Sequence, residues 1–220
     1  MTAETAGDEA VDEELEEMSE LLHTITPEGY KSEIVGGAIC MVPKADIYWD
    51  IVSDVLYQLR DLLGRERKIR HEVRLDLPGY RNTLAPALYV LAAGAERDAR
   101  GNWRYQDVEF VLEVIRRGTA DYDYGRKRDA YAVGEVPVCL IADPYSGRCH
   151  LHTMPQDGEY RSCLAVGFGD PIDLTHTDVG VVLTVGEPER ESAVSSDGGT
   201  KRPPPELPAQ PETGGDRRRG

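Results

Sequence analysis

Glu113 stands in an apolar run, VEFVLEVIRRGT (residues 108–119), where a charge has to be accounted for. Read with a period of two, Val108, Phe110, Leu112 and Val114 form one apolar face, while Glu109, Val111, Glu113 and Ile115 share the other. An ionised carboxylate buried on such a face is strongly unfavourable unless it is paired, hydrogen-bonded or bound to a metal. Lys127 and Arg116 are ion-pair candidates, and a divalent cation is the alternative. Lys127 follows Asp123 by four residues, the helical spacing of a modest ion pair worth about 0.2–0.5 kcal/mol. Taken alone, that pair reads as a surface feature, and Glu33 alone reads as an ordinary strand carboxylate. His150 and His152 in RCHLHT share one strand face, as two metal ligands would. No third ligand is in view, so surface histidines are the better reading.

The elements that must position these residues follow from period and turn signals. KSEIVGGAICMV reads as two strands joined at Gly36-Gly37, a pair suited to the positive φ angles of a tight hairpin. IYWDIVSDVLYQLRDLLG places Ile47, Ile51, Val55, Leu59 and Leu62 at helical spacing and ends at Gly64. IRHEVRLDLPG and LYVLAAG read as strands, followed by a polar loop and the strand carrying Glu113. A helix is expected from Thr119 to about Val133, then a buried strand VPVCLIADP, then RCHLHTM and YRSCLAVGFG. Tyr122, Tyr124 and Tyr131 are expected to pack on the helix face. Helices alternating with strands in the middle and hairpins at both ends predict an α/β (α+β) chain with a mixed central sheet flanked by helices. In such a sheet Glu113 lies near the end of a central strand, where sites of open sheets gather.

Composition narrows the class. The formal charge of -15 is uneven: residues 1–20 hold nine acids and no base, residues 187–220 hold seven acids and six bases, and 21–186 carry the remaining -5. The first segment reads as an acidic, disordered stretch running into a short helix at Leu15, Met18, Leu21 and Leu22. The last, rich in Pro, Gly and Ser, reads as a disordered tail, leaving residues 21–186 as a single domain. No apolar run of eighteen residues exists and the N-terminus is acidic, so neither a membrane span nor a secretory signal is expected, and a cytoplasmic location is. Cys40, Cys139, Cys149 and Cys163 lie far apart and predict reduced thiols. The basic run RERKIRHEVR (65–74) could meet phosphates, although a solvated strand face is the commoner meaning of such charges.

Beyond these separate signals, one linked series resembles a known family. SEIVGGAI, LAPALYV and LEVIRRGTADYDYGRKRDAYAVGEVPVCLIADP together are similar to the Uma-two-type restriction endonucleases of the PD-(D/E)xK superfamily, over roughly residues 27–175. Glu33 and Gly37 match the glutamate and glycine of the family's first hairpin. Glu113-Val114 matches its Glu-Val, Asp123 and Lys127 its helical pair, and VPVCLIADP its Asp-Pro strand. The resemblance implies a restriction-endonuclease-like core, DNA as substrate, Mg²⁺ or Mn²⁺ as cofactor, Glu113 as a metal ligand, Lys127 as the catalytic ammonium and Glu33 as a helper. A homodimer is compatible with it. Such a site makes sense for phosphodiester hydrolysis, in which a hard cation neutralises developing charge and activates water while a lysine steadies the transition state.

The pattern departs from the family at Pro86-Ala87, where the resemblance calls for Pro-Asp. A methyl group stands in place of a second metal ligand, and Glu72 and Asp76 are the nearest substitutes along the chain. Three functions therefore compete: a metal-dependent endonuclease, a relative that has lost hydrolysis and binds nucleic acid or protein, and a purely structural or regulatory interaction protein. Convergence of Glu33, Glu113 and Lys127 beside Ala87 would support nuclease ancestry. A single basic flank formed by Arg65, Arg67, Lys68, Arg70, Arg74, Arg116 and Arg117 would support a phosphate track.

Overall fold

A computed structural model describes residues 4–44, 46–79, 81–116 and 122–188, all within the first of two compact units, which spans Met1–Arg190. Nearly all of the expected disordered tail, from residue 189 onward, lies outside the described residues, as does the start of the helix expected at Thr119. In chain order the elements are α1 (Glu4–Ile25), β1 (Tyr30–Val35), β2 (Ala38–Pro43), α2 (Asp46–Leu63), β3 (Ile69–Arg70), β4 (Leu75–Leu77), β5 (Asn82–Leu84), β6 (Leu88–Leu91) and β7 (Val108–Val114). A π-helical turn (Tyr122–Lys127) then leads into α3 (Arg128–Val133), followed by β8 (Val138–Asp143), β9 (Arg148–Gln156), β10 (Glu159–Gly167), β11 (Pro171–Asp173) and β12 (Val182–Thr184).

The centre is a six-stranded sheet in the order β10-β9-β8-β7-β6-β3, mixed because β7 and β8 run parallel while the other pairs are antiparallel. This is the mixed α+β architecture expected. A second sheet, β2-β1-β5-β4, and a small β11-β12 hairpin complete it. The β1-β2 hairpin turns at Gly36 and Gly37, with φ of 58° and 78°, values open to glycine at little steric cost. Gly64, at φ 80°, ends α2 and donates its N–H to the Arg60 carbonyl.

Two apolar layers cover the central sheet. On one face Ile51, Val52, Val55 and Leu59 of α2 and Leu183 of β12 pack in one cluster with Phe110, Leu112 and Leu140. On the other face Val111, Cys139 and Ile141 pack with Ala130 and Tyr131 of α3 and with Val35, Leu75 and Leu84 of the second sheet. Outside that second sheet, Leu15 and Leu22 of α1 pack on Ile34.

The structure differs from the sequence reading at three places. IRHEVRLDL is two short strands in different sheets, because Glu72 takes φ 48° and turns the chain between them. The Tyr122–Val133 segment opens with π rather than α geometry. Finally, α1 already begins at Glu4, inside the segment read as a disordered acidic stretch. Its Ala, Glu and Leu residues favour helix, and Leu15, Leu22 and the ion pairs Arg81–Glu14 and Arg74–Glu16 tie its second half to the body. Among the described residues no helix is long and apolar enough to cross a membrane.

Candidate functional site

Strand alternation aims the site. On β1, Lys31, Glu33 and Val35 share one face, and Val35 joins the apolar layer beneath the central sheet, while Ile34 points the other way to α1. On β7, Glu113 shares its face with Val111 and Ile115 of that same layer. The helical segment between β7 and β8 then supplies Asp123, Lys127 and Tyr131. The three residues expected from the sequence converge, and all are buried: Glu33 is 3% exposed, Glu113 2% and Lys127 5%.

Lys127 is the hub. Its Nζ lies 2.6 Å from Glu33 Oε2, 2.8 Å from Asp123 Oδ1 and 3.4 Å from Glu113 Oε2. The Asp123–Lys127 pair is therefore an internal contact, not the surface pair that its spacing alone suggests. Glu33 Oε1 accepts the Ala85 N–H at 2.7 Å and faces Lys31 Nζ at 3.2 Å. Glu113 Oε1 accepts the Tyr131 hydroxyl at 2.5 Å. Tyr131 reads from the sequence as a packing residue; in the structure it packs and also donates.

The environment separates the two glutamates. Burial alone would raise the Glu33 carboxyl, but the Lys127 and Lys31 ammoniums and the Ala85 N–H hold it down at about 2. Burial raises Glu113, and its more distant lysine contacts do not reverse that. Burial would lower Lys127, yet the carboxylates of Glu113, Glu33 and Asp123 keep its proton well bound. Lys127 is thus a fixed cation, suited to charge stabilisation and not to proton abstraction at neutral pH.

Residues 12–186 match the family model described as "Uma2: Putative restriction endonuclease". The chain belongs to the Uma2 family. A solved structure from Anabaena variabilis ATCC 29413, described as "a putative nuclease belonging to DUF820", is 12% identical and covers 71% of this chain and 88% of its own, with a TM-score of 0.57. At that identity it shows the shared fold alone. No curated protein matches.

Whether this Uma2 site fits a divalent cation is decided by its donors. Mg²⁺ needs near-octahedral oxygen ligands at about 2.0–2.1 Å and retains several waters. Here each of the four oxygens of Glu33 and Glu113 already faces a donor of this chain. The cavity bounded by Lys31, Glu33, Tyr48, Glu113, Arg116 and Lys127 has a volume of about 20 Å³, room for about one water. Ala87 is fully buried in the apolar cluster that contains Tyr48 and Val114. Neither substitute takes its place: Asp76 accepts from Arg74 and Thr83, and Glu72 pairs with Arg116 at 2.8 Å and Lys44 at 3.7 Å. The donor set in this arrangement does not fit a divalent ion.

The remaining sequence candidates fall elsewhere. The basic run is taken up by contacts within the chain: Arg67 pairs with Glu109, Lys68 donates to the Ala95 carbonyl, Lys68 and Arg70 lie with Arg97 over the Trp103 ring at 5.6, 4.5 and 4.9 Å from its centre, and Arg74 pairs with Asp76 and Glu16, while Arg65 is exposed. Arg116 pairs with Glu72 and stacks 3.8 Å from the Tyr48 ring centre, while Arg117 lies outside the described residues. His152, expected at the surface, is buried, and burial with nearby Arg128 and His150 pushes its pKa down to about 4. It pairs across the ladder with Cys163, and its Nε2 lies 3.9 Å from that thiol. The sequence reading missed Lys31. Its signal was present: two residues before Glu33 on a strand, it must share that glutamate's face.

Proposed function

We propose that this Uma2-family protein keeps the nuclease fold without hydrolysing phosphodiester bonds. One observation carries the reading: both glutamates that would hold a metal are saturated by this chain's own donors, and residue 87, where the family resemblance calls for a carboxylate, is a buried alanine. A divalent ion, when bound in such a site, neutralises charge on the scissile phosphate and activates water. This chain's residues instead neutralise one another. Lys127, the group that would face the phosphate, is enclosed by three carboxylates.

Against DNA as the partner stands the charge distribution. A phosphate track needs cations clustered on one surface and free to release counterions. Here Arg67, Lys68, Arg70 and Arg74 each serve an internal acceptor, carboxylate or ring, and residues 21–186 are net acidic.

The test is cleavage of supercoiled and single-stranded DNA with Mg²⁺ and with Mn²⁺, comparing the native chain, Ala87→Asp and Glu113→Ala. The native chain is expected to leave both substrates intact. Duplex binding followed by fluorescence anisotropy should be weaker than about 10⁻⁴ M at physiological salt, the weak end of non-specific association. Native cleavage that disappears in Glu113→Ala would overturn the proposal.

A further inference from the structure

Lys31 is not among the residues that carry the family resemblance, yet it is 8% exposed and lies beside the carboxylates of the site. A buried ammonium is strongly unfavourable without partners. This one has Glu33 Oε1 at 3.2 Å, and it bounds the same cavity as Glu113, Arg116, Asp123 and Lys127. We infer that the Lys31 ammonium takes the place of a divalent cation, so that the site is permanently filled by a cation of the chain itself.

The charge count supports the exchange. A divalent ion together with one aspartate would contribute a net +1 to the cluster. Lys31 together with Ala87 contributes the same +1. Loss of the ion, removal of the aspartate and burial of a lysine thus together leave the charge of the site unchanged, whereas loss of the ion with only one of the other two changes would shift it by one unit. The lysine also acts on the neighbouring carboxylates. Its field favours the ionised forms of Glu33 and Glu113, on strands of the two sheets, and of Glu72, in the turn between β3 and β4. Glu33 binds Lys31 through the oxygen that also accepts the Ala85 N–H. An ammonium is a compact, strongly hydrated point charge with three donors, the side chain closest in character to a small metal ion. It differs in one respect that matters for function, because it binds no water as a Lewis acid and so cannot activate one.

The inference deepens the non-hydrolysing reading and rests on it for its meaning, but its test does not need activity. Mn²⁺ binding is measured by the loss of the free-ion electron paramagnetic resonance signal, and thermal unfolding is followed with and without millimolar Mn²⁺, for the full chain, Ala87→Asp, and the doubles Lys31→Ala/Ala87→Asp and Lys31→Met/Ala87→Asp. The native chain and Ala87→Asp should bind no ion saturably and show no melting shift with metal. The alanine double should bind one Mn²⁺ per chain, at least about tenfold tighter than the native chain, and melt higher when the ion is present. The methionine double keeps the aliphatic stem and guards against loss of folding, and it too should gain a metal-dependent shift. Saturable Mn²⁺ binding by the native chain would overturn the inference, as would folded doubles that ignore the metal. The two proposals separate cleanly. A native chain that binds Mn²⁺ without cutting DNA sinks only the internal cation, and one that cuts without binding the ion sinks only the non-hydrolysing reading.

Discussion

The two faces of β7 share a backbone and differ in almost everything else. Phe110, Leu112 and Val114 lie in an apolar cluster with α2, where burial alone supplies the stabilisation and no residue depends on a single partner. One residue away, Glu113 sits on a face that is just as dry but requires Tyr131, Lys127, Glu33, Asp123 and Lys31 to be in position. The apolar face tolerates exchange of similar volumes. The charged face is a unit, because loss of one member leaves another charge buried without compensation.

The sharpest break of this contrast is Lys127→Met, which removes the hub from three buried carboxylates. It should cost about 3–5 kcal/mol at pH 7, read from urea unfolding. Leu112→Ala, on the opposite face, should cost about 2–5 kcal/mol through the cavity it leaves. The two separate by pH: the leucine penalty should be the same at pH 7 and near pH 4, and the lysine penalty should shrink as carboxylates protonate. Equal pH dependence would show that the lysine contributes only packing.

Next in size is Glu33→Gln. The folded pKa of Glu33 is depressed to about 2 from an ordinary 4.5, so its contribution is complete above the unfolded value and is lost as pH falls from about 4.5 toward about 2. That difference corresponds to about 3 kcal/mol. The native chain should lose stability steeply across that window, and the Glu33→Gln variant should start lower and lose less. An unchanged acid slope would contradict the ion pairs assigned to Glu33.

How much of this was readable beforehand follows the same division. Period-two alternation placed Glu113 opposite Leu112, and helical spacing found α2, because both signals are local. The linked order of Glu33, Glu113, Asp123 and Lys127 brought the site together, although nothing in the spacing of Asp123 and Lys127 revealed that their pair is buried. What escaped was set by tertiary contact or by single backbone angles. Lys31 is buried only where the inner face of its sheet meets the site, and Tyr131 reads as helix packing until its hydroxyl meets Glu113. The split of IRHEVRLDL depends on one positive φ at Glu72, a residue type that does not announce it.

The smallest expected effect is the most discriminating within the charged face. Glu113 has its folded pKa raised above the ordinary value, chiefly by burial. The sign is therefore opposite to that of Glu33: ionisation of Glu113 opposes folding at pH above its folded value, and that cost disappears as pH falls through it. Glu113→Gln keeps an oxygen for the Tyr131 hydroxyl and removes the charge, so relief of desolvation should offset the loss of a lysine contact that is already long at 3.4 Å. The net change at pH 7 should stay within about 1 kcal/mol, the scale of one hydrogen bond, by urea unfolding against Glu33→Gln in the same buffer. Equal penalties for the two variants would mean that the glutamates carry the network together. A clear gap places the weight on Glu33, the carboxylate that both lysines share.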